Sequence, residues 1–158
     1  MVALGIDLGG TDIKGAVISS DGRILTQNKV STHPEEGAEG VADRIVDLIH
    51  TLCQDHITEL SKTAGVGVGV PGVTRKDGTV VIAPNLNWYH VPFRSILAER
   101  LPGVKVELDN DANVAALAEA KAAAGAGCES LALLTLGTGI GGGIIIDGRV
   151  HHLSLIHI

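Results

Sequence analysis

Aromatic residues are nearly absent from this 158-residue chain, which has one Trp, one Tyr and one Phe, or 2% of the sequence. A buried core must therefore be built from Val, Ile, Leu and Ala. Hydrophobic residues make up 45% of the chain and charged residues 19%, a composition typical of globular proteins rather than disordered ones. The length is sufficient for a domain with a core of its own.

Basic residues are also scarce, because 12 Lys and Arg stand against 18 Asp and Glu for a formal net charge of −6. This balance argues against general nucleic-acid binding, which depends on clustered Lys and Arg. No apolar run approaches the roughly 20 residues of a membrane span, and the N-terminus lacks the pattern of a signal peptide. We therefore expect no nucleic-acid partner, no membrane association and a cytoplasmic location.

Cysteine is rare, with Cys53 and Cys128 far apart and outside any CxxC pair. Two reduced thiols are expected rather than a disulfide. The seven histidines show no spacing typical of a metal site, and the adjacent pair His151-His152 cannot form a tetrahedral site by itself. No zinc site is predicted within the chain.

Glycine, by contrast, is abundant, and it is concentrated in two turns, one within residues 7–11 and one within 136–143. Each turn lies between two apolar, β-like runs. Such a turn offers several backbone N–H groups to one anion, because glycine permits close approach and positive φ. Glycine clusters also occur as plain hairpin turns, and a lysine near one is as readily a solvated strand residue. The candidate phosphate-binding residues are Gly9, Gly10, Thr11, Lys14, Gly137, Thr138, Gly139 and Gly141.

Apolar periodicity and turn signals predict alternating strands and helices. The predicted strands are Val2–Ile6, Ile13–Ser19, Arg23–Val30, Gly65–Val70, residues 104–108, Leu131–Leu136 and Ile144–Ile146. The predicted helices are Glu36–Ile57, Pro92–Arg100 and the Ala-rich segment Ala112–Ala124. Residues 73–95 are predicted to be mostly loop, with a short extended piece at Thr79–Ala83. Hairpin turns are predicted at Asp21-Gly22 and Asp147-Gly148.

Two further motifs lie between the glycine turns: Ala83-Pro84-Asn85-Leu86-Asn87-Trp88 and Asn110-Asp111-Ala112-Asn113. With them, the sequence from Val2 to about Val150 resembles the ROK sugar kinases, in pattern the glucokinase-like members. The resemblance implies an α/β fold, the actin/hexokinase-type (ribonuclease H-like) ATPase lobe with a mixed sheet. It places an N-terminal lobe with the sugar loops at 1–125 and the first strands of a second lobe at 126–150. The tail 151–158 matches no family segment and is interpreted as a truncation.

By resemblance, the protein phosphorylates a hexose with ATP and Mg²⁺. Asp7 then helps to hold Mg²⁺, through water, and Asp111 is the catalytic general base that accepts the proton of the attacking sugar hydroxyl. The sugar contacts are Gly72, Asn85, Asn110 and Asp111. Plainer interpretations remain: Asn and Asp are preferred helix N-caps, Pro-Gly is a common turn, and Trp88 is favoured as a packing residue rather than a pocket wall.

Several alternatives remain open at this stage. Glucose fits the motif pattern, but kinases of N-acetylmannosamine, N-acetylglucosamine, fructose and allose share most of it, and some relatives accept polyphosphate. A sugar-responsive ROK regulator is a second class, although such proteins carry a helix-turn-helix segment before the first strand. A noncatalytic sugar-binding lobe is a third, and we expect the 158-residue chain itself to be weakly active or inactive. The family's zinc motif is expected only downstream, and its members are often homodimers.

Overall fold

The computed structural model describes residues 1–54, 57, 59–122, 125–136 and 140–152. The chain divides into two compact units, Met1–Asn110 and a second that begins at Asp111. This division groups the Ala-rich helix with the second glycine-rich segment, whereas the sequence places the lobe boundary near residue 125. The assignment of lobes stays a prediction, and most of the predicted tail lies outside the described residues.

The first unit contains eight strands and two α-helices among its described residues. The strands are β1 (Val2–Leu8), β2 (Asp12–Ser19), β3 (Ile24–Ser31), β4 (Val66–Val70), β5 (Val73–Thr74), β6 (Val80–Ala83), β7 (Trp88–Val91) and β8 (Val106–Asn110). The helices are α1 (Gly37–Cys53) and α2 (Phe93–Arg100). The three opening strands and the short helix agree closely with the sequence prediction.

Five of these strands form one mixed sheet in the order β3-β2-β1-β4-β8. Strand β2 runs antiparallel to β1 and to β3, whereas β4 is parallel to β1 and to β8. This architecture confirms the predicted α/β fold with a mixed sheet. Because parallel strands end on the same side, the segments that follow β1, β4 and β8 leave the sheet at one edge.

Helix α1 covers the antiparallel part of this sheet, packing on β2 and β3. Five apolar residues that recur at helical spacing are buried: Val41, Ile45, Leu48, Ile49 and Leu52. Gly15 of β2 permits the close approach, since a Cβ there would lie 2.7 Å from a methyl carbon of Leu52. The helix ends at Cys53, so the predicted end at Ile57 is wrong. The N–H of Gln54 bonds to the carbonyl of Thr51, three residues back, so the last turn is of the tighter 3₁₀ type.

A second, antiparallel sheet of the order β5-β6-β7 occupies most of residues 73–91, where the sequence predicts mainly loop. A tight turn closes its first hairpin: Gly78 has a φ of +82°, and its N–H bonds to the carbonyl of Arg75. Strand β7 places Trp88 against Phe93 of α2, with ring centroids 4.5 Å apart. Strands of two to four residues are too short to show alternation, so the sequence predicts only β6, as the extended piece Thr79–Ala83, and misses β5 and β7.

In the second unit, α3 (Asp111–Ala122) precedes β9 (Ser130–Leu136), β10 (Ile140–Ile146) and β11 (Arg149–Val150). The three strands form an antiparallel sheet, β11-β10-β9, on which α3 packs. The predicted hairpin at Asp147-Gly148 is confirmed, and both residues have positive φ, +50° and +70°. The predicted start of β10 at Ile144 is wrong, because residues 140–143 already pair with β9. Among the described residues, no helix is long and apolar enough to cross a membrane.

The two thiols differ in their surroundings, and we expect them to differ in reactivity. Cys53 is buried at the end of α1, and burial raises the pKa of its thiol, whereas Cys128 is exposed. The thiolate is the reactive form, so iodoacetamide is expected to modify Cys128 at least roughly tenfold faster than Cys53 in the native chain. Mass spectrometry of timed samples measures both rates. Equal rates in native buffer would contradict the packing of α1, and the denatured chain provides the control in which both thiols react.

Candidate functional site

The carboxyl edge of the parallel strands gathers most of the residues predicted to act on phosphate and sugar. Asp7 of β1 lies in register with Gly69 of β4, which in turn lies in register with Asp109 of β8. The first glycine turn and the Pro71-Gly72 turn therefore follow β1 and β4 at the same side of the sheet at which Asn110 ends β8. This arrangement follows from strand order and was not visible in the sequence pattern.

The first glycine turn, residues 9–11, is held by hydrogen bonds to its own backbone and to one threonine. The N–H of Gly9 bonds to the carbonyl of Asp12 at 3.0 Å. The hydroxyl of Thr32 donates to the carbonyl of Gly9 at 2.8 Å. The backbone N–H of Thr32 donates to the carbonyl of Thr11, also at 2.8 Å. No acceptor among the described residues takes the N–H of Gly10 or of Thr11. Two backbone donors at this turn are thus available to an anion.

These glycines serve close approach rather than unusual backbone angles, since neither Gly9 nor Gly10 has a positive φ. A Cβ on Gly9 would lie 2.8 Å from the carbonyl oxygen of Asp12. A Cβ on Gly10 would lie 3.2 Å from the Cβ of Asn85. The missing side chain of Gly10 therefore lets residues 83–88, the predicted sugar loop, lie against the first glycine turn, the predicted phosphate turn.

Two ion pairs set the charge around this turn. The Nζ of Lys14 lies 3.9 Å from the carboxylate of Asp7, and both side chains are more than half exposed. The carboxylate of Asp12 lies 3.7 Å from the Nζ of Lys29, on the neighbouring strand β3. A cation and a carboxylate therefore stand together at the end of β1, while the charge of Asp12 is balanced by Lys29.

The sugar loop forms a single 3₁₀ turn, Pro84–Leu86, anchored by two buried residues and presenting an exposed Asn85. Leu86 and Trp88 are the anchors, with Trp88 only 3% exposed. A cleft of about 340 Å³ runs alongside, lined by Pro34, Glu35, Gly37 and residues 84–88. The indole Nε1 of Trp88 is buried with no hydrogen-bond partner among the described residues. Trp88 thus combines the packing role favoured from the sequence with a place in the cleft wall.

Gly72 and Asn110, both predicted sugar contacts, touch each other. The side-chain amide of Asn110 donates to the carbonyl of Gly72 at 2.8 Å. Gly72 has a φ of +116°, and a Cβ there would collide with the carbonyl of Ile82, so the turn requires glycine. This bond ties the turn after β4 to the end of β8.

The acidic pair around Asn110 divides into two different environments. Oδ1 of Asp109 accepts hydrogen bonds from the hydroxyl of Thr74 at 3.2 Å and from the N–H of Asn110 at 2.7 Å. These contacts tie the end of β8 to β5. Asp111 is the exposed first residue of α3, and its Oδ1 accepts from the N–H of Ala112 at 2.8 Å. A carboxylate at this position is stabilised by the helix N-terminus.

The second glycine turn can be described only in part, because Gly137, Thr138 and Gly139 lie outside the described residues. Gly141 lies within β10, where a Cβ would come 2.5 Å from Oγ1 of Thr135 and 3.3 Å from the Cβ of Ala112. Gly143 is tighter still, with a Cβ only 2.5 Å from the carbonyl of Ala112. Packing therefore explains why glycine occupies both positions, because the absent Cβ atoms let the Ala-rich α3 lie close to β10. Phosphate binding by Gly141 stays a prediction.

Over the part of the chain that the structure describes, no three His, Cys, Asp or Glu side chains come together in a way that could hold a metal ion. Mg²⁺ binding by Asp7 stays a prediction, in which this single carboxylate is joined by water in the coordination shell.

Residues 3–153 match the model of the ROK family. The chain belongs to the ROK family. Its relatives include the glucokinase of Halalkalibacterium halodurans, 37% identical over 94% of this chain, and the xylose repressor of Caldicellulosiruptor bescii, 34% identical over 93%. The alignments cover 45% and 37% of those two relatives. This ROK chain thus spans less than half the length of the curated relatives it matches here.

Solved ROK structures show the same fold over the first part of their chains. A glucokinase from Streptomyces griseus, in complex with glucose and AMPPNP, superposes with a TM-score of 0.84 at 39% identity, covering 96% of this chain and 46% of that one. An inorganic polyphosphate/ATP-glucomannokinase from Arthrobacter sp. strain KM superposes with a TM-score of 0.85 at 34% identity, covering 97% and 61%. These matches confirm the resemblance found in the sequence and the mixed five-stranded α/β fold.

The packing role of the glycines in β10 predicts different outcomes at two adjacent positions. Gly143→Ala is expected to lower the free energy of unfolding by about 1–3 kcal/mol, because the new methyl group overpacks the contact with α3. Gly142→Ala is the matched control, since a Cβ there meets only ordinary contacts at 3.7 Å. Denaturant unfolding measures both variants. Equal effects of the two substitutions would contradict the close packing of α3 on β10.

Proposed function

We propose that this chain forms the sugar-binding and first phosphate-binding part of an ATP-dependent hexose kinase. The observation that carries the proposal is the direct contact between the phosphate turn and the sugar loop, where Gly10 lies against Asn85. Phosphoryl transfer demands positioning of a hydroxyl next to the terminal phosphate more than covalent chemistry. A turn with available N–H donors beside a loop that presents an exposed amide supplies that positioning.

The phosphate side of the site consists of backbone donors and one ion pair. The N–H groups of Gly10 and Thr11 donate to the terminal phosphate oxygens, and the hydroxyl of Thr11 adds a donor. Lys14 lies next to Asp7 and balances charge there. The exposed carboxylate of Asp7 suits Mg²⁺, which prefers oxygen ligands and keeps several waters. When bound, Mg²⁺ neutralises the charge that the phosphates carry.

The sugar side consists of Gly72, Asn85, Asn110 and Asp111. An amide such as that of Asn85 both donates and accepts, as the vicinal hydroxyls of a sugar require. The bond between Asn110 and Gly72 keeps the two residues in one place relative to the sheet edge. Asp111 follows Asn110 directly in the chain, and as general base its carboxylate accepts the proton of the attacking hydroxyl. Asp111 is exposed, whereas Asp109 is half-buried and accepts a hydrogen bond from Thr74, which favours Asp111 for this role.

Glucose is the proposed substrate, because the H. halodurans relative is named a glucokinase and the S. griseus glucokinase structure contains glucose. The AMPPNP in that structure supports ATP as the donor, while the Arthrobacter enzyme uses polyphosphate as well. A second candidate is a sugar-responsive regulator, favoured by the 34% identity to a xylose repressor. The two classes differ in a measurable way: a kinase binds triphosphate at the first glycine turn and transfers phosphate, and a regulator need do neither.

The role of Asp111 can be tested in a chimera. Residues 1–150 of this chain are joined to the part of the S. griseus glucokinase that follows its match. Asp111→Asn in the chimera is expected to lower kcat about 10²–10⁴-fold with little change in glucose affinity, because the base is lost while the side-chain shape is kept. Coupled-enzyme assays give kcat, and calorimetry gives the glucose affinity.

Asp147→Asn is the matched control for this test, because it removes an equally solvent-facing carboxylate at a hairpin turn. It is expected to leave kcat within about twofold of the unsubstituted chimera. A chimera that phosphorylates glucose at the same rate with Asn at position 111 would remove Asp111 from the general-base role. A correctly folded chimera that binds glucose but transfers no phosphate from ATP or polyphosphate would favour the regulator.

A further inference from the structure

Thr32 has a combination of features that the phosphate-site motifs do not explain. It follows β3 directly, and it is the one fully buried polar or charged residue among those that the structure describes, with 0% exposure. A buried hydroxyl is costly unless it is hydrogen-bonded. The hydroxyl of Thr32 donates to the carbonyl of Gly9, which lies 23 positions earlier in the chain. The backbone N–H of Thr32 donates to the carbonyl of Thr11. One residue thus holds both ends of the first glycine turn.

The geometry of the peptide bond converts this contact into an orientation. In a trans peptide the C=O and the N–H point in opposite directions, and the described chain contains no cis peptide bond. The C=O of Gly9 and the N–H of Gly10 belong to the same peptide. Because Thr32 draws that C=O to its own side, the N–H of Gly10 must face the opposite side, where no acceptor among the described residues meets it.

A peptide between two glycines has little orientation of its own. Glycine populates many backbone angles at similar energy, so the Gly9–Gly10 peptide can rotate until its C=O, rather than its N–H, faces an approaching anion. Such a flip would replace an attractive donor with a repulsive acceptor. A hydrogen bond from a buried hydroxyl is the kind of restraint that prevents it.

We propose that Thr32 is a positioning residue that orients the Gly9–Gly10 peptide so that the N–H of Gly10 is presented to the terminal phosphate. This inference rests on the proposed phosphate-binding role of the turn. Thr32 itself is buried and acts through the turn. Its hydroxyl, rather than its methyl group or its bulk, carries the effect.

Variants at two threonines isolate the hydroxyl. Thr32→Val keeps the shape and removes the donor, whereas Thr32→Ser keeps the donor and removes the methyl group. Thr26→Val is the matched control, a half-buried threonine on β3, the strand that Thr32 follows. Each ¹⁵N-labelled chain is titrated with inorganic tripolyphosphate, and the amide resonances of Gly10 and Thr11 are followed by NMR.

In the unsubstituted chain, the Gly10 and Thr11 amides are expected to shift saturably with tripolyphosphate. Thr32→Val is expected to raise the dissociation constant at least roughly tenfold, the scale of one hydrogen bond to a charged group. Thr32→Ser and Thr26→Val are expected to stay within about threefold of the unsubstituted chain. This pattern would support the proposal, because a residue that merely fills space would not be rescued by serine.

Two contrary results are distinguishable. If the unsubstituted chain shows no shift at these amides, the proposed phosphate role of the turn fails, and the role of Thr32 fails with it. If the unsubstituted chain responds and Thr32→Val responds equally, the turn binds phosphate but Thr32 does not position it.

Thr32→Val is open to misfolding, because it leaves the carbonyl of Gly9 without its partner. If Thr32→Val does not fold, hydrogen exchange of the Gly10 amide in the unsubstituted chain tests the proposal instead. The N–H of Gly10 is expected to exchange rapidly without ligand and to become protected by tripolyphosphate. The N–H of Gly9, which bonds to Asp12, is expected to stay unchanged. Protection of Gly10 that is already present without ligand would overturn the proposal, because it would mean that this N–H faces inward.

Discussion

The parallel register of three strands is the constraint on which the rest of the first unit depends. Asp7, Gly69 and Asp109 lie side by side on β1, β4 and β8, so the chain leaves all three strands at the same edge. Residues about a hundred positions apart in the chain are therefore brought close together by the pairing of the strands, not by long side chains. The antiparallel strands β2 and β3, covered by α1, support this edge from the other side of β1 and bring Thr32 under the first glycine turn.

Close approach of backbone segments is the second recurring principle of this chain. Gly10 admits the sugar loop, Gly15 admits α1, and Gly143 admits the Ala-rich α3. None of these three glycines has a positive φ, so their value lies in the absent Cβ. A chain with almost no aromatic residues is suited to this construction, because thin helices and bare strands leave little volume for large side chains to fill. The proposed phosphate site likewise uses a backbone N–H rather than a side chain.

Strong local signals made much of this fold predictable from the sequence. The opening strands, the Asp147-Gly148 hairpin and the family resemblance depend on alternation, turn residues and short motifs, all of which are local. Of the sheet formed by β5, β6 and β7, only the extended piece at Thr79–Ala83 was predicted, because the strands are too short for periodicity and are stabilised by the packing of Trp88 and Phe93. Residues 140–143, one isoleucine followed by three glycines, were interpreted as part of the turn because glycines show no alternation, yet they pair with β9 as a strand.

Thr32 is the clearest case of a residue that sequence reasoning could not find. It lies in no motif, and its hydrogen-bond acceptor is 23 positions away on another strand connection. The contact between Gly10 and Asn85 is equally non-local, since it arises only when the sugar loop folds back over the turn. The site residues themselves were named by resemblance, and the structure adds which of them touch: Gly72 with Asn110, and Gly10 with Asn85.

The central claim is that the sheet edge of the first unit binds a hexose beside the phosphate turn. The most direct test is an amide chemical-shift map of the ¹⁵N-labelled chain titrated with D-glucose, with L-glucose as the stereochemical control. The account predicts saturable shifts at Gly72, Asn85 and Asn110 with D-glucose and far smaller ones with L-glucose. No saturable shift at these three residues, or shifts confined to residues far from that edge, would contradict it.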